Sequence, residues 1–102
     1  MSDDYQIDIP PSFYALYTDA RQRLTEPLPV LRQRYELCED LAQHLVEQAR
    51  TLAHGEAPRD DSLLMRFHAG LSSEDSGVST AEAGWIVCRL AELLDWPMPS
   101  LG

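Results

Sequence analysis

From residue 29 to residue 54 the chain runs for about 26 positions without an internal Gly or Pro, roughly 39 Å of helix at 1.5 Å per residue. Within that run Leu31, Tyr35, Cys38, Ala42, Leu45, Ala49 and Leu52 follow one another in alternating steps of four and three, and Leu37 and Leu41 widen the stripe. This is the pattern of a helix with a broad core-facing side. Pro27 and Pro29 bracket Leu28 and break the chain ahead of it. His54 and Gly55 offer a C-terminus, with Gly suited to the left-handed position and His to the negative end of the dipole.

Three shorter runs flank this helix. Phe13, Leu16, Tyr17, Ala20 and Leu24 recur at helical spacing behind Pro10 and Pro11, so the spacing predicts a first helix over 11–24. After a loop around Pro58, Asp60 or Asp61 can cap a third helix carrying Leu63, Leu64, Phe67 and Leu71. Ser79 and Glu82 have the spacing of a capping box, in which a hydroxyl and a carboxylate satisfy each other's backbone amides. A fourth helix follows with Ala83, Ile86, Val87, Leu90, Leu93 and Leu94 until Asp95-Trp96-Pro97 stops it.

Tyr5, Ile7 and Ile9 alternate with polar residues as a strand would, yet no second strand-like run exists to pair with them. Residues 1–9 therefore read as an extended or flexible arm, residues 10–96 as a single helical domain and residues 97–102 as a flexible tail. The expected class is all-α: an irregular bundle of about four helices organised on one long helix over about 29–54.

Composition narrows the partners. The formal charge is −9, from 17 acidic residues against 8 basic ones, and every basic residue is Arg. The arginines are scattered among carboxylates, which disfavours duplex nucleic acid and anionic membrane surfaces. The acidic start lacks the basic flank and apolar core of a signal peptide, and no run approaches the roughly 18 apolar residues of a spanning helix. A cytoplasmic protein is expected, with Cys38 and Cys88 as reduced, buried thiols.

No motif dictates a chemistry. A Walker A loop needs a lysine, and the chain has none; the five glycines are too dispersed for a dinucleotide fingerprint. Asp40, His44 and Glu47 lie a turn apart, but Leu41 stands where a di-iron pattern would place Glu, so a solvated face is the simpler reading. His68 has no Ser or Cys at triad spacing, and Cys38 and Cys88 lie mid-helix, away from the groups that activate thiols. Setting Gly77 at the sixth position of a calcium loop leaves Ser72 and Ala83 where carboxylates are required. No catalytic residue, cofactor or metal is expected.

The remaining signals are surfaces. Glu36, Asp40 and Glu47, with Gln43 between them and Glu39 beside them, form an acidic strip that would steer a basic partner. Trp85 and Trp96, with Met98 beyond Pro97, add aromatic and apolar mass that serves either the core or an interface. Tyr5, Ile7, Ile9, Glu36, Asp40, Glu47, Trp96 and Met98 are accordingly the candidate partner-binding residues.

The wording Ile9-Pro10-Pro11-Ser12-Phe13, Arg34-Tyr35-Glu36-Leu37-Cys38-Glu39-Asp40-Leu41-Ala42, Glu82-Ala83-Gly84-Trp85 and Arg89-Leu90-Ala91-Glu92-Leu93 resembles a family of small bacterial proteins that carry the automatic label "ATPase with chaperone activity". The resemblance spans residues 9–96 and brings no active site with it. It implies proximity to a chaperone machine. The expected function is that of an acidic accessory protein that binds another protein, as an adaptor or chaperone-associated factor. Two alternatives stand beside it: a small-molecule or metal-binding domain with a pocket between helices 2, 3 and 4 near His44, His68 and the cysteines, and a structural homodimer sharing the helix 2 stripe.

Overall fold

The computed structural model describes residues 9–54 and 60–99. These form four α-helices: α1 (Pro11–Tyr14), α2 (Leu28–Leu52), α3 (Ser62–Leu71) and α4 (Thr80–Leu94), with short 3-10 turns at Ala15–Tyr17 and Glu74–Ser76. No strand occurs among the described residues, only an isolated bridge between Thr18 and Leu24. The architecture is thus all-helical and irregular, organised on the long α2. The chain divides into two compact units, Met1–Leu37 and Cys38–Gly102, and the boundary falls inside α2.

In the first unit, Pro11 opens α1 and the amides of Phe13 and Tyr14 both donate to the Pro10 carbonyl, at 2.9 and 3.2 Å. Phe13 is fully buried, with its ring 5.7 Å from that of Tyr17 and 5.5 Å, edge-on, from that of Tyr35 on α2. Edge-to-face pairs of this kind contribute about 0.5–1.5 kcal/mol beyond their buried area.

The predicted helix over 11–24 is cut short. The Thr18 hydroxyl donates to the Tyr14 carbonyl at 2.6 Å, and Thr18 itself is extended. Asp19 Oδ1 then accepts from the amides of Arg21 and Arg23 at 2.8 and 2.9 Å, while the Asp19 amide donates to the Arg23 carbonyl at 2.8 Å. Gln22 takes a left-handed φ of 67°, and the Thr25 amide closes the turn on the Tyr17 carbonyl at 2.7 Å. Thr and Asp side chains offer the backbone an alternative to helical bonding. Here that alternative prevails over apolar spacing, and Leu24 is left exposed.

α2 starts at Leu28, one residue ahead of the predicted run, with the amides of Val30 and Leu31 donating to the Pro27 carbonyl at 3.0 and 3.1 Å. Of the predicted stripe, Leu31, Cys38, Ala42 and Ala49 are fully buried and Tyr35, Leu41 and Leu45 half-buried. Leu37 and Leu52 are 39% and 45% exposed. Successive helical residues turn by about 100°, so Leu37 points well away from Cys38, and Leu52 sits on the final turn. At that end His54 adopts the left-handed φ of 56°, the role assigned to Gly55, which lies outside the described residues.

In the second unit α2 shares a core with α3 and α4: Ala49, Leu64, Val87, Leu90 and Ala91 are buried together, with Leu45, Val46, Phe67, Leu71, Leu94 and Trp96 packed against them. Burying each Leu or Val side chain stabilises the fold by about 1.5–3 kcal/mol. Asp61 is the N-cap residue of α3, and ahead of it Asp60 Oδ1 accepts from the Ser62 amide at 3.1 Å and hydroxyl at 2.8 Å. Those bonds hold its carboxyl below the usual aspartate range. Gly77 takes a φ of 86° on the approach to α4, a conformation that other residues adopt only with strain.

The capping box of α4 is formed. Ser79 Oγ accepts from the Glu82 amide at 3.0 Å, and Glu82 Oε1 accepts from the Ser79 amide at 2.9 Å. The other end of α4 closes on Asp95, in left-handed conformation with φ 59°: the Trp96 amide donates to the Ala91 carbonyl at 2.9 Å and the Asp95 amide to the Glu92 carbonyl at 3.1 Å. This pair of bonds is a Schellman motif, which brings an apolar residue just beyond the helix back against its last turns.

Candidate functional site

α2 turns its charged side to solvent. Asp40 and Glu47 each precede a fully buried alanine, Ala42 and Ala49, by two positions, about 200° around the helix. Gln43 and His44 lie exposed between them, and Glu36 is exposed one turn earlier on the same helix. Among the described residues Glu36 and Asp40 have no hydrogen-bond or ion-pair partner. Glu47 pairs with Arg50 at 3.2 Å, both side chains well exposed, and such pairs contribute little.

Glu39 leaves this strip. Its two carboxylate oxygens accept from Nε and Nη2 of Arg89 on α4 at 2.9 and 3.1 Å, and Gln43 Nε2 donates to it at 2.8 Å. Partial burial alone would raise the Glu39 pKa, but the hydrogen bonds from Arg89 and Gln43, with the charge of Arg89, outweigh it and hold the carboxyl below its ordinary value. Arg89 is bound in turn to Glu92 at 3.2 Å, and its own pKa is raised, chiefly by the hydrogen bond to Glu39. This group is a clamp between α2 and α4.

The other candidates separate. Among the described residues no group of three or more His, Cys, Asp or Glu is placed to hold a metal ion, and Asp40, His44 and Glu47 are each exposed. Both cysteines are free thiols. Cys38 is fully buried and Cys88 only partly so, against the expectation of two buried thiols; burial first, then the charge of Glu92, push the Cys88 thiol upward and away from reactivity. Tyr5 and Ile7 lie outside the described residues. Ile9 is buried, not displayed, and borders a cleft with Pro11, Tyr14, Ala15 and Thr18. Trp85 is buried. Trp96 packs on the core where the Schellman turn delivers it, while Met98 is 53% exposed.

One feature of the second unit escaped the sequence reading. Leu52 and Gln48 on α2 and Leu63, Arg66 and Phe67 on α3 border an open groove of about 200 Å³. His44, His68 and the cysteines, around which a pocket was expected, do not line it. Its local signals are an i, i+4 pair on α2 and an i, i+3, i+4 set on α3, each of which reads as helix stripe until the two helices are set side by side.

No described helix is long and apolar enough to cross a membrane. Comparisons of the chain with protein families, with curated proteins and with solved structures found no match.

Proposed function

We propose that this chain is a cytoplasmic acidic accessory protein that acts by binding another protein, in the manner of an adaptor or chaperone-associated factor. The observation that supports this reading is the outer face of α2, where the exposed carboxylates of Glu36 and Asp40 lack partners among the described residues in a chain of net charge −9. Unpaired, exposed carboxylates suit a partner with a basic surface, because complementary charge speeds encounter and excludes like-charged competitors. A homodimer sharing the α2 stripe is less well supported, since Cys38, Ala42 and Ala49 are already buried within one chain.

The test is affinity capture of the tagged chain from native lysate at moderate salt, beside the variant Glu36→Lys/Asp40→Lys. A stoichiometric protein captured by the wild type and lost in the variant supports the reading. A protein captured equally by both removes the acidic face from it.

A further inference from the structure

The groove between α2 and α3 combines apolar walls with polar heads. Its walls are Leu52, Leu63 and Phe67, and two polar heads stand beside them, Gln48 and Arg66. Among the described residues neither Gln48 nor Arg66 has a hydrogen-bond or ion-pair partner, and both are exposed. An apolar trough with an unpaired guanidinium and carboxamide beside it is complementary to an apolar group that carries a carboxylate close by. Size decides what kind of molecule bears that group. At about 200 Å³ the groove is smaller than the 300–1,000 Å³ or so of pockets that enclose small molecules, and it suits one large side chain of a peptide.

We infer that the α2–α3 groove is a peptide-docking site that takes a Leu, Phe or Met side chain between Leu52, Leu63 and Phe67 and an adjacent Asp or Glu on Arg66. The inference deepens the proposed protein-binding function and rests on it. It also adds selectivity to that function. The outer face of α2 attracts basic surfaces in general, whereas the groove demands an apolar anchor with a carboxylate one or two positions away, a combination that few basic segments present by chance.

A random twelve-residue peptide library displayed against the immobilised full-length chain tests this directly. The expected consensus is a large apolar residue with Asp or Glu within two positions. A synthetic peptide of that consensus should bind Arg66→Glu at least tenfold more weakly, and replacing its acidic residue by Lys should restore binding to that variant. Arg66 is exposed, so the variant keeps the fold, which a thermal melt verifies. A consensus rich in Arg or Lys, lost in Asp40→Lys and indifferent to Arg66→Glu, overturns the groove and leaves the protein-binding reading standing. Enrichment of no peptide over that on an unrelated acidic protein overturns the groove as well, and capture from lysate then decides the broader reading separately.

Discussion

Glu39 on α2 and Arg89 on α4, 50 positions apart, meet fork to fork, with Nε–Oε1 and Nη2–Oε2 distances of 2.9 and 3.1 Å. Their side chains are 19% and 32% exposed, so the pair lies between the surface case, where ion pairs contribute up to about 1 kcal/mol, and the buried case, where losing one partner costs about 3–5 kcal/mol. A double-mutant cycle of Glu39→Gln and Arg89→Gln should give a coupling of about 1–2 kcal/mol in urea unfolding. Additive single mutants would show that the clamp holds nothing.

The same pair sets a pH dependence. Because the folded-state pKa of Glu39 is depressed, its contribution is fully present above the unfolded-state value, about 4.3, and is lost as pH falls through the folded value. Arg89 stays charged throughout. Wild type should therefore lose more stability than Glu39→Gln between about pH 6 and pH 3, and parallel stability curves would contradict the assignment.

Ser79→Ala should destabilise the chain by about 0.5–2 kcal/mol, because it leaves the Glu82 amide without its side-chain acceptor. A shifted urea midpoint with unchanged slope is the expected observation. This capping box was legible from two residue types at one spacing, and so was the buried line Leu31, Cys38, Ala42 and Ala49, since both depend on local helix geometry alone. The end of the first helix was not. There Thr18 and Asp19 compete with a helical apolar spacing, and the outcome depends on hydrogen bonds that reach as far as Tyr14 and Arg23. The outer acidic face of α2 could be read as a strip, but the departure of Glu39 from it depends on Arg89, and the groove depends on how α3 lies beside α2. Neither is a property of one segment.

Asp95→Gly should stabilise the chain by about 0.5–1 kcal/mol. Asp95 holds a left-handed φ of 59° that glycine adopts without a steric penalty, and its carboxylate stands at the negative end of the α4 dipole. Asp95→Asn should recover the electrostatic part alone. A thermal midpoint lowered by Asp95→Gly would show that the aspartate makes a compensating contact.

We propose that the outer face of α2 recruits a partner by charge. It is tested most directly by the association rate of the purified partner, measured for wild type and for Glu36→Lys/Asp40→Lys at about 50 and 300 mM salt, across which screening shortens markedly. The wild-type rate should fall severalfold with added salt, and the variant rate should start lower and change little. Equal rates for the two proteins at both salt concentrations would contradict it.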